Sequence, residues 1–355
     1  MSWRDRVQAL FGGRRFLFPL PPAFGGRGDQ KRTTNERLHS AIPGNGDSAL
    51  PPIRHRLGFP DHLQSALASR VSLDCGMTVD LEFSRDTEFC KLLLRDSDVD
   101  LTLVALELAR DAQPKLDFGH TLEWIAKRAS EVGSHLTRAK NDRAMLSELS
   151  RCLSGTHGLH GDKEAFHRAE CSYINRVIET GVGIPISLSL VYVAVAQRAG
   201  LELEGVAAPM HFLTRLDTIE GPLFVDAFHA GQVLDLDDCR TWLESLSGLT
   251  DDEIELSLEP ATPREVVVRM LNNLKAVHVK QEQWQEAWDV QRRLTALHPA
   301  ASEHRRDLAI IALKSNRPGQ AIDLLEACLK TCSNRDRGML QSHLRVAERL
   351  LATFN

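Results

Sequence analysis

Two side chains near the middle of the chain have the types and the spacing of an acid–base pair. His211 opens the run HFLTRL, and Asp226 follows 15 residues later in FVDAF. Two such runs separated by DTIEGP are typical of antiparallel strands, which would bring the imidazole beside the carboxylate. In thiol chemistry a histidine takes and returns the proton of a cysteine, and a carboxylate orients the histidine. The pair would therefore supply two of the three groups of an acyl-transfer site.

The third group of such a site is a thiol at the start of a helix, where the helix dipole favours the thiolate. The run ISLSLVYVAVAQRAG is apolar nearly all round, which predicts a buried helix that ends at Gly200. Its first turn contains Pro185, which has no nucleophilic atom, and Ser187 and Ser189 are expected inside the helix. Because Pro185 occupies the position of the nucleophilic cysteine, the sequence favours a protein without enzymatic activity.

Cys171 is the alternative nucleophile. It opens CSYINRVIETGVG, a predicted helix that ends at Gly181 and Gly183. With His211 as base and Asp226 as orienting group, Cys171 would make a cysteine-type hydrolase or acyltransferase. In the competing interpretation, Cys171 is an unreactive half-buried thiol, and the carboxylate only satisfies a buried imidazole N–H. The residues by themselves leave both interpretations open.

Potential metal ligands are concentrated just before this helix. Zinc accepts histidine and cysteine ligands, but the spacing here is not that of a standard zinc finger. We therefore predict no metal and no cofactor, and we keep zinc at this cluster as an alternative. The cluster consists of Cys152, His157, His160, His167 and Cys171.

The chain before this region falls into two parts. Residues 1–57 are rich in Gly, Pro and Arg, which predicts a disordered, mildly basic arm. A docking segment for an acidic partner is the alternative for that arm. Residues 58–155 are predicted to be helical, with Asp100 as the N-cap of one helix and Pro114 separating it from the next. The apolar residues of the helix that follows Asp100 recur at helical spacing: Leu101, Val104, Ala105 and Leu108.

The end of the chain, residues 261–355, repeats itself. Ala287 and Ala321 lie 34 residues apart, which is the period of a tetratricopeptide repeat. Lys275 stands where a small residue is usual, and a last helix at about 335–353 would cap the stack. Concave repeat surfaces commonly bind peptides or helices, so we expect a protein partner here.

The composition excludes several classes of protein. The 355 residues carry a formal net charge of -5, which argues against bulk nucleic-acid binding. No apolar run approaches ~18 residues, so we predict no membrane span. The seven cysteines include no CxxC pair, which fits free thiols in a reducing cytoplasm. Nothing in the sequence indicates an oligomeric state.

Four motifs, in order, carry a family resemblance. CSYINRVIETGVG, GIPISLSLVY, GVAAPMHFLTR and DAFHAG are similar to motifs of the SirB-type branch of the transglutaminase-like superfamily. The resemblance covers roughly residues 95–355. It implies an α+β fold: a helical N-terminal part, a papain/transglutaminase-like core at 156–260 with a small antiparallel sheet, and C-terminal α-helical tetratricopeptide repeats.

The resemblance also assigns residues. His211 and Asp226 match the superfamily's histidine and aspartate, and Pro185 takes the cysteine position, as is usual in this branch. Cys171 stands where the family usually has Asn, and Ala227 replaces the Pro that usually follows the aspartate. Pro185 at the nucleophile position and the C-terminal repeat together favour a non-catalytic transglutaminase-like protein in a regulatory or scaffolding role.

Overall fold

The computed structural model describes residues 83–247 and 250–353. The predicted basic arm and the first part of the predicted helical region lie outside these residues. Within them thirteen α-helices and two small sheets confirm the predicted α+β class. The helices are α1 (Thr87–Leu94), α2 (Leu101–Ala112), α3 (Phe118–Leu136), α4 (Asp142–Ser150), α5 (Ile174–Thr180), α6 (Pro185–Arg198), α7 (Leu236–Ser247), α8 (Asp251–Ser257), α9 (Pro263–Lys280), α10 (Trp284–Leu297), α11 (Ser302–Lys314), α12 (Pro318–Thr331) and α13 (Asn334–Ala352). The strands are β1 (His160–Gly161), β2 (Val182–Gly183), β3 (Glu204–Val206), β4 (Leu213–Leu216), β5 (Leu223–Asp226) and β6 (Gln232–Leu234).

The N-terminal helices begin where the side chains cap them. The Asp100 carboxylate accepts the backbone N–H of Thr102 at 2.8 Å and of Leu103 at 3.1 Å, which fixes the start of α2 as predicted. Asp117 caps α3 in the same way through Gly119. The apolar stripe of α2 is buried in the main core. These helices therefore form one wall of the core.

Helix α6 is the buried centre of the fold. It starts at Pro185, as predicted, and every residue from there to Ala196 is buried. A helix that is apolar all round has no solvent face, so neighbouring elements must cover it on every side. Helix α5 precedes it and ends at Gly181, whose φ of 76° is the left-handed conformation that glycine adopts readily.

The main sheet is antiparallel, with strand order β3-β4-β5-β6. Thr214 faces Val225, and Leu216 faces Leu223, so β4 and β5 form the predicted hairpin. Strand β6 was not predicted, and it pairs with the end of β5 where Asp226 faces Gln232. The second sheet is the short parallel pair of β1 and β2.

Helices α9 to α12 form two antiparallel pairs, and α13 packs against the last of them. Ala287 and Ala321 are fully buried at the predicted close contacts. Lys275 departs from the repeat pattern because its buried Nζ lies 2.7 Å from Asp307 Oδ2 on α11. A buried ion pair thus stands where the repeat pattern usually has a small residue.

The first helix pair of the repeat belongs to the main core. Leu271 on α9 and Leu294 on α10 lie in the same apolar cluster as Phe89 and Leu106 of the N-terminal helices. A second cluster joins α11, α12 and α13 to Val279 at the end of α9 and to Ala287 and Trp288 on α10. None of the helices in the two described ranges is both long and apolar enough to cross a bilayer.

Candidate functional site

One buried carboxylate holds two imidazole rings at the end of the hairpin. Asp226 is the last residue of β5, His211 lies just before β4, and His229 lies in the turn before β6. Nε2 of His211 lies 2.9 Å from Asp226 Oδ1, and Nδ1 of His229 lies 2.7 Å from Oδ2. The hairpin therefore brings the predicted pair together and adds a second histidine to it.

Four N–H groups converge on Asp226, which is only 2% exposed. Besides the two rings, the backbone N–H groups of Phe228 and His229 donate to Oδ1 at 3.0 and 3.2 Å. Burial by itself raises the pKa of Asp226, but the hydrogen bonds from His211 and His229 outweigh it and hold the pKa well below its usual range. The hydrogen bond between His229 Nδ1 and Asp226 Oδ2 raises the pKa of His229. The carboxylate is thus held ionised.

His229 was not predicted from the sequence, although it stands only three residues after Asp226 in FVDAFHAG. The tight turn after β5 places His229 beside Asp226. Ala230 has a φ of 56°, and the N–H of Gly231 donates to the Asp226 carbonyl at 2.8 Å, so the chain folds back and returns His229 to the carboxylate. A histidine in the turn that follows a strand-end aspartate was the available signal.

Aromatic rings and one arginine fix His211. The ring of Trp242 meets His211 edge-on at 4.9 Å between centroids, and Phe228 does so at 5.9 Å. Arg269, on α9, donates to the carbonyl groups of His211 at 2.6 Å and Ala208 at 3.0 Å. Burial lowers the pKa of Arg269 to about 10. The hydrogen bonds of this guanidinium tie the backbone at the site to the repeat helices.

The hydroxyls near the predicted nucleophile position are already engaged. Pro185 is the first residue of α6, and the buried Ser187 Oγ donates to the Cys171 carbonyl at 2.6 Å. Ser189 Oγ, also buried, lies 3.4 Å from the carbonyl of Phe212. Both hydroxyls are therefore buried and directed at backbone carbonyl groups.

Cys171 lies in the 3₁₀ turn Ala169–Ser172, before α5. Its side chain is 2% exposed, and burial raises the pKa of the thiol. Among the residues that the structure describes, the thiol makes no hydrogen bond, and the histidine and carboxylate atoms that come together at Asp226 do not include it. The catalytic roles assigned to Cys171, His211 and Asp226 remain predictions.

The potential zinc ligands separate in space. Cys152 and His157 lie together with Glu131, whose Oε2 is 3.0 Å from His157 Nε2. His167 instead meets Lys280 Nζ at 3.0 Å. His160, in β1, and Cys171 are likewise outside the Cys152 group within the described ranges. The five residues therefore do not form one four-ligand site.

Gly161 provides a test of how tightly the site is packed. A Cβ at this residue would lie 2.1 Å from the ring of Phe228, the ring that meets His211. Gly161→Ala is therefore expected to lower the free energy of unfolding by about 1–3 kcal/mol. Gly133→Ala, in α3, is the matched control because a Cβ there meets nothing within 4 Å, and we expect a gain of roughly 0.5–1 kcal/mol. Urea denaturation of both variants measures the difference, and equal effects would contradict the packing.

Comparison with known proteins agrees with this architecture. Residues 119–272 match the family model of the transglutaminase-like superfamily, and residues 274–351 match a tetratricopeptide repeat. A UPF0162 protein of Xylella fastidiosa strain 9a5c is 30% identical over 253 residues, which are 70% of this chain and 90% of that protein.

Two further relatives match smaller shares of the chain. Protein SirB1 of Salmonella typhimurium is 23% identical over 209 residues, 59% of this chain and 77% of SirB1. F-box only protein 21 of Mus musculus is 29% identical over 192 residues, 51% of this chain and 28% of that protein. No solved structure matches the chain significantly. The chain belongs to the SirB-type family of transglutaminase-like proteins, together with the UPF0162 proteins and SirB1.

Proposed function

We propose that this protein is a non-catalytic transglutaminase-like protein with a regulatory or scaffolding role in the cytoplasm. The observation that carries the proposal is Pro185, which fills the helix start where the thiol of an acyl-transfer site belongs. The engaged hydroxyls of Ser187 and Ser189 and the buried thiol of Cys171 support it. The six cysteines of the described residues are all free, which fits a reducing compartment.

The tetratricopeptide repeats support a protein-interaction role. We propose that the partner docks on α13 through acidic groups. Arg335, Arg345 and Arg349 are exposed and, at 100° per residue, lie on the side of the helix opposite Leu340 and Ala347, which are buried. Within the described residues, none of the three arginines has an acidic partner within ion-pair distance. Unpaired guanidinium groups on one helix face favour a partner with carboxylates or phosphates.

Partner capture tests this role. We expect wild-type protein and a His211→Ala variant to capture the same partner, and charge reversal at Arg335, Arg345 and Arg349 to abolish capture. The matched control reverses three exposed charges elsewhere, at Lys127, Arg138 and Lys140. Capture that is lost with His211→Ala and kept after charge reversal on α13 would point to the hairpin site instead.

Alkylation tests the non-catalytic part of the proposal. At neutral pH we expect iodoacetamide to label Cys171 at least ~10-fold more slowly than Cys332, because burial keeps Cys171 protonated and covered, whereas Cys332 is partly exposed. Mass spectrometry of timed samples gives both rates, with the buried Cys328 as a second reference. Labelling of Cys171 ahead of Cys332 would indicate an activated thiol and would favour the cysteine-type hydrolase.

A further inference from the structure

We propose that His211, Asp226 and His229 form a binding site for one divalent first-row transition ion, with Zn²⁺ as its representative. The sequence predicted no metal, and the metal site is independent of the partner binding proposed for α13. Imidazole nitrogens and a carboxylate oxygen are ligands that Zn²⁺ and its neighbours in the first row accept. Two histidines and one carboxylate leave further coordination positions for water.

The geometry of the three side chains carries the proposal. One donor atom from each lies within 4.8 Å of the other two, and the two nitrogen–oxygen distances to Asp226 are 2.9 and 2.7 Å. Metal bonds of about 2.0–2.1 Å place neighbouring donor atoms about 2.9–3.4 Å apart. The three atoms therefore need shifts of no more than about 1–2 Å to surround an ion.

The site is anchored on one side and open on the other. The backbone N–H groups of Phe228 and His229 hold Asp226 Oδ1, and the Arg269 guanidinium holds the His211 carbonyl. Such supporting hydrogen bonds orient the ligands of a metal. The side chain of His229 is 50% exposed, so it offers both an entry path and the freedom to turn onto an ion. On binding, His211 Nε2 and His229 Nδ1 would each give a lone pair to the ion, and each neutral ring would carry its proton on its other nitrogen, with any further ring proton released to water.

A second group of ligand atoms in the described residues serves as an internal comparison. Glu131, Cys152 and His157 also approach within 4.8 Å, but the guanidinium of Arg128 already lies there. Its Nε is 3.1 Å from Glu131 Oε2, and its Nη1 is 3.4 Å from His157 Nδ1. A resident cation repels a metal ion at this distance. At Asp226 the basic side chains within 4 Å, among the described residues, are the two histidines that would bind the ion, and neither an arginine nor a lysine is among them.

Titration of the full chain with Zn²⁺ and Co²⁺, after removal of metal by a chelator, tests the site. We expect one Zn²⁺ per chain in a competition assay with a chromophoric chelator. His229→Ala should weaken binding at least ~10-fold, since even the loss of an outer-shell partner costs roughly 10–100-fold. The Co²⁺ protein should show visible d–d absorption without the near-ultraviolet charge-transfer band that a thiolate ligand gives.

Two variants control the experiment. His120→Ala removes an exposed histidine on α3, and Cys152→Ser alters the second group, and we expect both to bind Zn²⁺ like the wild type. His229→Ala is the decisive variant because this side chain is half exposed, so its loss leaves the fold intact, as circular dichroism would verify. Binding below one ion per chain, unchanged affinity in His229→Ala, or a thiolate band that Cys152→Ser removes would each overturn the proposal.

Discussion

Replacing Arg293 with alanine is expected to lower the free energy of unfolding by about 3–5 kcal/mol. Arg293 lies on α10 and is only 2% exposed. Its guanidinium meets Asp86 Oδ2 at 2.6 Å and both oxygens of Asp111 at 2.6 and 2.7 Å, and it lies 4.7 Å from the ring centre of Phe89. Removal of the cation takes both hydrogen bonds from the partly exposed Asp111 and leaves Arg110 as the remaining ion-pair partner of the buried Asp86, so buried negative charge is less well compensated.

The matched control is the neighbouring residue on α10. Arg292 pairs with Asp289 at 3.7 Å and is partly exposed, so Arg292→Ala should cost about 1 kcal/mol or less. Urea unfolding, followed by circular dichroism, measures both variants. We also expect limited proteolysis to cut the Arg293→Ala variant first near α1. The reason is that Arg293 on α10 pairs with Asp86, the residue just before α1. Equal losses in the two variants would contradict the buried network.

The second large effect is expected at Asp226. Asp226→Ala removes the acceptor of two imidazole and two backbone N–H groups at once, and we expect a loss of about 3–5 kcal/mol in the free energy of unfolding. Asp226→Asn keeps the shape and one acceptor oxygen, so its loss should be about 1–3 kcal/mol.

A control for this prediction lies in the same hairpin. Asp217 is exposed and pairs with Arg215 at 2.8 Å, so Asp217→Ala should change stability by about 1 kcal/mol or less. Urea denaturation at neutral pH, without added metal, gives all three values. A loss at Asp226→Ala no greater than that at Asp217→Ala would show that the four hydrogen bonds do not hold the turn together.

Much of the architecture could be predicted from local sequence. The N-cap at Asp100, the left-handed glycine at Gly181 and the proline at the start of α6 depend on a few neighbouring residues. The apolar stripes and the 34-residue spacing of Ala287 and Ala321 are periodic along the chain. Periodicity and capping are written in consecutive residues, so they can be recognised without a structure.

The candidate site could be predicted only in part. His211 and Asp226 were recognisable because one hairpin joins them, and a hairpin is itself a local pattern. The position of His229 could not be predicted because it depends on the turn after β5. In that turn Ala230 has a positive φ, which is uncommon for alanine and therefore cannot be read from the residue type. The five potential zinc ligands separate for the converse reason: residues near in sequence lie against different helices, His157 beside Glu131 of α3 and His167 beside Lys280 of α9.

The sequence by itself determined helix α6 at the centre of the fold, the hairpin of β4 and β5, the repeat and the proline at the nucleophile position. The tertiary structure alone decided which buried charges meet: Arg293 with Asp86 and Asp111, and Lys275 with Asp307. These partners lie far apart in the chain, and no period or cap relates them. Each buried charge is tolerated only because a partner from another helix compensates the loss of water, and that partner is defined by packing in three dimensions.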